Sequence, residues 1–165
     1  MSKWSIAERV SADLVEQLLV NRGIEEGVRE AFLHPEYDRD THDAAIFSHM
    51  EAAVESVFST LENGESIMIH GDYDADGVSG SALLYTAVQE IAEKLNFTPT
   101  LEAFLPDREE DGYGVAMHTI ERFKTEGVNL IITVDCGISN ADQLDRAHEL
   151  GMRVVVCDHH QLGER

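Results

Sequence analysis

Lysine is scarce in this chain: Lys3, Lys94 and Lys124 are the only three in 165 residues. With 12 basic residues against 32 acidic ones, the formal net charge is −20. Phosphate polymers and anionic membranes are normally gripped by Lys and Arg, so this balance argues against the chain alone holding a long polynucleotide. Local phosphate chemistry stays open, although two bound divalent cations would offset only about four negative charges. Long apolar runs are also missing, and none approaches the roughly 18–20 residues of a membrane span. The opening MSKWS lacks the apolar stretch of a secretory signal, which predicts a cytoplasmic protein. Only two cysteines occur, Cys136 and Cys157, with no C-x-x-C pair. The pair reads as small buried residues in a reducing compartment, the alternative being a metal or redox role. Internal repeats, low-complexity tracts and long linkers are absent.

What remains suits an α/β protein with a sizeable core. Residues 11–22 have helical periodicity, with Leu14, Leu18 and Leu19 on one face, Ser11 as N-cap and Gly23 as stop. A second short helix is expected over 24–33, closed by His34-Pro35, then a polar loop over 36–43. Helical patterning returns from 44 to 61 and ends at Asn63-Gly64. The rhythm then changes to alternation. Strands are expected at 66–70, 98–105, 129–134 and 152–157, and helices at 78–95, 114–125 and 140–150. Such alternation implies right-handed crossovers and a mostly parallel sheet with helices on both faces, preceded by a helical N-terminal segment. The expected division is a lead-in over 1–65 and an α/β catalytic domain over 66–165. The latter stops just after a strand and its most polar loop, as the front part of something longer would.

Chemistry concentrates where these strands end. HGDYDADG, residues 70–77, places Asp72, Asp74 and Asp76 within five positions and no cation among them. Carboxylates so close repel one another unless a cation sits between them. The other reading is an acidic surface turn. A calcium loop is excluded, because the twelfth position from Asp72 is Leu83 rather than Glu. Asp135 ends the third strand, where a carboxylate faces the ligand crevice of a parallel sheet or caps the next helix. Asp158-His159-His160 follows the fourth strand; one histidine of such a pair can ligate a metal while the other serves a phosphate oxygen. The segment PDREEDGYG, residues 106–114, offers Arg108, whose guanidinium suits bidentate phosphate binding or a surface ion pair with its acidic neighbours. Tyr113 either stacks on a base or packs under its loop. Hard oxygen and borderline nitrogen donors on one sheet rim suit a pair of divalent metals. No serine or cysteine resembles an activated nucleophile.

HGDYDADGVSG, PDREEDGYG, LIITVDCGIS and DHHQ, in this order, resemble the motifs of the DHH phosphoesterase superfamily, and most closely its RecJ-like single-strand-specific exonucleases. The N-terminal LLVNRGI and AFLHP resemble the lead-in of the same group. The resemblance implies two metal ions, manganese foremost and magnesium as the alternative. His70, Asp74 and Asp135 would ligate one, and Asp76, Asp135 and His159 the other, with Asp135 bridging. His160 and Arg108 would contact phosphate, Asp158 would orient a histidine, and Asp72 would serve as either ligand or orienting group. It further implies 5′-to-3′ degradation of single-stranded DNA in repair and recombination, with a C-terminal DHH-associated domain and a further metal-binding aspartate beyond residue 165. Rival readings are an oligonucleotide or cyclic-dinucleotide phosphodiesterase, a non-catalytic replication scaffold, and a metal-binding but inactive front part.

Overall fold

Four short strands, three of them rich in Ile, Val and Leu, form a sheet in the second part of the chain, which returns between them through helices. A computed structural model describes residues 5–162. Two compact units divide at residues 47 and 48.

In the first unit, α1 spans Leu14–Asn21, α2 spans Arg29–Leu33 after a 3-10 turn at Glu26–Val28, and α3 is the single turn Tyr37–Asp40. The N-cap of α1 is Asp13, not Ser11 as expected: its carboxylate accepts from Glu16 N at 3.0 Å. Ser11 sits two residues earlier and accepts from Asp13 N at 3.1 Å, so its hydroxyl braces the cap instead of making it. Gly23 ends the helix with φ +67°, a conformation that favours glycine. The polar stretch expected as loop contains α3 and is followed by a second 3-10 turn, Ala44–Ile46. Leu19 is the one buried apolar side chain among the described residues of this unit.

The second unit opens with α4 (Met50–Glu62), shorter at its start than the helical pattern suggested. Then follow β1 (Ser66–Gly71), α5 (Ala75–Leu95), β2 (Thr100–Phe104), α6 (Met117–Thr125), β3 (Leu130–Val134), α7 (Ala141–Glu149) and β4 (Arg153–Cys157). All strand pairs are parallel and the order is β2-β1-β3-β4. The fold is therefore α/β, a four-stranded parallel sheet with interleaved helices behind a helical N-terminal segment.

Side chains alternate across the sheet, so each face has its own core. Ile67, Ile69, Leu130 and Ile132 pack with Leu61 of α4 and Val88 and Ala92 of α5. On the opposite face Met68 and Ile131 pack with Ile120 and Phe123 of α6 and Ala147 of α7. The helix placement follows from topology. The β1-to-β2 crossover runs one way along the sheet and the β2-to-β3 crossover runs back. Right-handed connections must then put their helices on opposite faces. The reversal leaves a crevice between the carboxyl ends of β1 and β3, the place where open α/β sheets bind ligands.

Candidate metal centre

At the crevice the end of β1 is clasped by α5. A Cβ added to Gly77 would lie within 2.7 Å of the backbone of Asp72, so glycine is required here by close approach. Asp74 is the N-cap of α5 and its Oδ1 accepts from Gly77 N at 3.1 Å. That bond leads the causes that hold its carboxyl below the usual range. Asp72 is 3% exposed and accepts from Tyr73 N at 2.7 Å. Asp76 stands exposed in the first turn of α5.

Asp135 follows β3 with φ +61°, held by its N–H donating to the Cys157 carbonyl at 2.8 Å. Left-handed backbone is uncommon outside glycine, and Asp tolerates it better than most residues. The side chain is 7% exposed, and burial followed by the negative field of Asp76 and Asp74 pushes its pKa up. His159 Nε2 comes within 2.9 Å of Asp135 Oδ1, yet that oxygen accepts no hydrogen bond among the described residues. The approach is an ion-pair distance without hydrogen-bond alignment.

Asp158 braces the last loop. Its Oδ2 accepts from Ile138 N at 2.9 Å, and its Oδ1 accepts from His160 N at 3.0 Å and pairs with His160 Nδ1 at 2.7 Å. Burial opposes its ionisation, but the bonds from His160 and Ile138 prevail and the pKa lies below the ordinary value. The same contact raises the pKa of His160. Tyr113 OH is 3.2 Å from His160 Nδ1, and the two rings meet edge-on. Tyr113 is thus 53% exposed beside a histidine and does not pack under its loop.

His70 is wholly buried at the end of β1, edged by Phe104 and Phe123. Desolvation lowers its pKa to about 4, so the ring is neutral at pH 7. Its Nε2 has no hydrogen-bond partner among the described residues. Cys136 is buried too, and desolvation pushes its thiol up to about 12, which removes it from nucleophilic chemistry. Cys157, expected to be buried, is exposed because β4 is an edge strand.

The loop over 106–114 is built by its own acids. Asp107 Oδ1 accepts from Glu109 N and Glu110 N at 2.8 and 3.1 Å, and Asp111 Oδ2 accepts from Asp107 N at 2.7 Å. Asp111 also pairs with His118 at 2.6 Å. These contacts occupy the carboxylates of Asp107 and Asp111 on either side of Arg108. The guanidinium makes no ion pair among the described residues and stands 5.6 Å from the centre of the Tyr73 ring. Asn140 was not singled out in the sequence. It occupies the cap position of α7 but makes no cap bond. Its side chain instead accepts from Val115 N at 3.2 Å and donates to Val115 O at 3.3 Å, tying this loop to the one after β3.

Two donor groups result, each with ligand atoms within 4.8 Å of one another: Asp72, Asp74 and Asp135, and Asp135, His159 and His160. Asp135 is common to both. Neither includes His70 or Asp76, although Asp76 Oδ2 lies 3.9 Å from His159 Nε2. The set offers carboxylate oxygens and imidazole nitrogens without thiolate, and two buried polar atoms, His70 Nε2 and Asp135 Oδ1, have no hydrogen-bond partner among the described residues. That chemistry fits divalent manganese or magnesium.

A family model described as the DHH family, N-terminal domain, matches residues 66–165. The chain belongs to the DHH family. It is 37% identical over 152 residues to the single-stranded-DNA-specific exonuclease RecJ of Bacillus subtilis, covering 91% of this chain and 18% of that protein. The RecJ of Thermus thermophilus is 39% identical over 104 residues, 63% of this chain and 15% of that one. A crystal structure of exonuclease RecJ bound to manganese superposes with a TM-score of 0.60 at 38% identity, covering 70% of this chain and 28% of that one. This DHH chain thus spans about a fifth of the length of the curated relatives it matches.

Proposed function

We propose that this chain carries the metal-binding front part of a RecJ-like phosphodiesterase that degrades single-stranded DNA from the 5′ end. The carrying observation is Asp135, a buried carboxylate shared by two donor groups at the crevice where the sheet reverses direction. His70, Asp74 and Asp135, with Asp72 alongside, would hold one divalent ion; Asp76, Asp135 and His159 would hold the other. When bound, such ions act as Lewis acids toward phosphate and lower the pKa of a coordinated water. Arg108, which makes no ion pair among the described residues, binds the phosphate through paired N–H donors. His160, oriented through Nδ1 by Asp158, presents its other ring nitrogen to a phosphate oxygen and stabilises charge developing there. The exposed face of Tyr113 receives a base. Residues 66–165 form the catalytic domain in this reading, with 1–65 as its lead-in. Closure over the strand is assigned to a C-terminal DHH-associated domain of the full-length parent.

A second reading keeps the chemistry and shortens the substrate to an oligonucleotide or cyclic dinucleotide. The net charge of −20 favours it, since a long strand meets more repulsion than a short one. The test is hydrolysis of a 5′-labelled single strand in manganese, run with this chain and with its full-length parent. Release of labelled mononucleotides that ceases in Asp135→Ala supports the exonuclease. Cleavage confined to short substrates supports the second reading. Manganese heat without cleavage by either protein, or no heat at all, sinks both and leaves an inactive or scaffolding role.

A further inference from the structure

Cys136, though unreactive, occupies a particular place. Its Sγ lies 3.6 Å from His70 Nδ1 and 3.7 Å from the His70 carbonyl oxygen, all three atoms buried at the crevice floor. A thiol carries one proton, and a carbonyl can only accept. If S–H donates to the His70 carbonyl, the contact with Nδ1 requires the ring nitrogen to bring its own proton. The far side of the ring agrees. His70 Nε2 is buried and unpartnered among the described residues. Buried N–H groups without acceptors are rarer than under-used acceptor lone pairs, so the proton belongs on Nδ1.

We infer that Cys136 is a positioning residue: it fixes His70 in the Nδ1–H tautomer and so leaves the Nε2 lone pair available to a divalent cation. The purpose of that tautomer rests on the metal-centre reading proposed above; the tautomer itself does not. The partner of a ligand histidine is usually a carboxylate or carbonyl. Here a neutral thiol takes that part, which adds no further negative charge beside Asp72 and Asp135. No bond is made or broken, and the thiol keeps its proton.

Two-bond proton–nitrogen NMR of the metal-free chain, labelled in histidine, reads the tautomer directly. The wild type should show His70 protonated at Nδ1 alone. Cys136→Ala should give a mixed or Nε2–H population and bind manganese about 10-fold more weakly by calorimetry, the loss typical for an outer partner of a ligand. Cys136→Ser keeps one donor and one acceptor and should restore the wild-type tautomer. A wild-type ring protonated at Nε2, or a Cys136→Ala ring indistinguishable from wild type, overturns the assignment. A wild-type chain with Nδ1–H fixed but no affinity for manganese overturns the metal reading, and with it the purpose given to the tautomer.

Discussion

The two ends of one sheet are treated differently. At the amino ends of the strands no buried side-chain polar atom is left without a partner among the described residues. Ser66 N donates to Asn129 Oδ1 at 2.9 Å, Asn129 N donates back to Ser66 O at 3.0 Å, and Arg153 N donates to Asn129 O at 2.9 Å. The Arg153 guanidinium reaches Glu65 and, at 2.7 Å, Ser59 Oγ, fastening β4 to α4 and the turn after it. At the carboxyl ends the accounting fails. His70 Nε2, Thr133 Oγ1, Asp135 Oδ1 and Ser81 Oγ are the buried side-chain polar atoms without partners among the described residues, and all four lie at this end; Ser81 belongs to α5 but its hydroxyl abuts Gly71. The positive φ of Asp135 is here as well. Native proteins pair nearly all buried polar groups, and their exceptions gather where function requires them. The contrast gives one rim to fastening the sheet and, in the reading proposed above, the other to chemistry.

The largest effect that can break this contrast is on metal binding. Asp135→Asn keeps the shape and tolerates the left-handed backbone, but removes the charge shared by both donor groups. Manganese affinity should fall by more than about 100-fold, beyond the usual cost of losing a mere outer partner. Thermal stability should hold or rise, because repulsion from Asp74 and Asp76 is relieved. A large drop in melting temperature with little change in affinity would make Asp135 a structural residue and erase the distinction between the rims.

Next in size is an acid effect from His70. Its pKa is about 4 in the folded chain against an ordinary 6.5, with desolvation the leading cause. Between those values the unfolded chain binds more protons, so stability rises with pH. The contribution is complete above about pH 6.5 and is lost as the pH falls toward 4; a shift of this size corresponds to about 3 kcal/mol. His70→Leu should remove that part of the dependence in urea melts at neutral and mildly acid pH. If wild type and variant lose stability in parallel on acidification, the buried imidazole is not its source.

The sheet was legible because apolar runs separated by helical periods leave few topologies open. Asp72, Asp74, Asp135, His159 and His160 were legible as a rim, since strand ends of a parallel sheet share one edge. Their grouping was not legible. Asp72 approaches Asp74 and Asp135 more closely than its ambiguous reading implied, and His160 joins His159 and Asp135. Such distances depend on how α5 and the last loop settle, which alternation of residue types does not encode. The opening cap was misassigned to Ser11 because Ser and Asp at positions 11 and 13 are both good caps. The acids around Arg108 read as its ion-pair partners; backbone N–H groups of the loop claim Asp107 and Asp111 first. Asn140 carried only the ordinary signal of a residue preceding a helix.

Asn140 gives a smaller and more local test. Without its side chain, the buried Val115 loses one bond at each backbone group, costing about 1–3 kcal/mol. The loss should appear at the loop over 106–114, as faster tryptic cleavage after Arg108 in Asn140→Ala, while calorimetric manganese affinity stays within a few-fold. Unchanged cleavage would mean that the loop's own aspartates hold it unaided.

The smallest effect belongs to the other rim. Arg153 and Glu65 are each roughly one-third exposed, and exposed ion pairs contribute about 0–1 kcal/mol. The bond to Ser59 adds a comparable amount, so Arg153→Ala should lower stability by about 1 kcal/mol. Manganese affinity and the His70 tautomer should not move, because the pair sits at the far end of β4 from the donor groups. Affinity that fell with stability would show the two rims to be coupled through the sheet. A variant that loses about 1 kcal/mol and binds metal unchanged would show that the donor groups do not depend on the rim that Arg153 fastens.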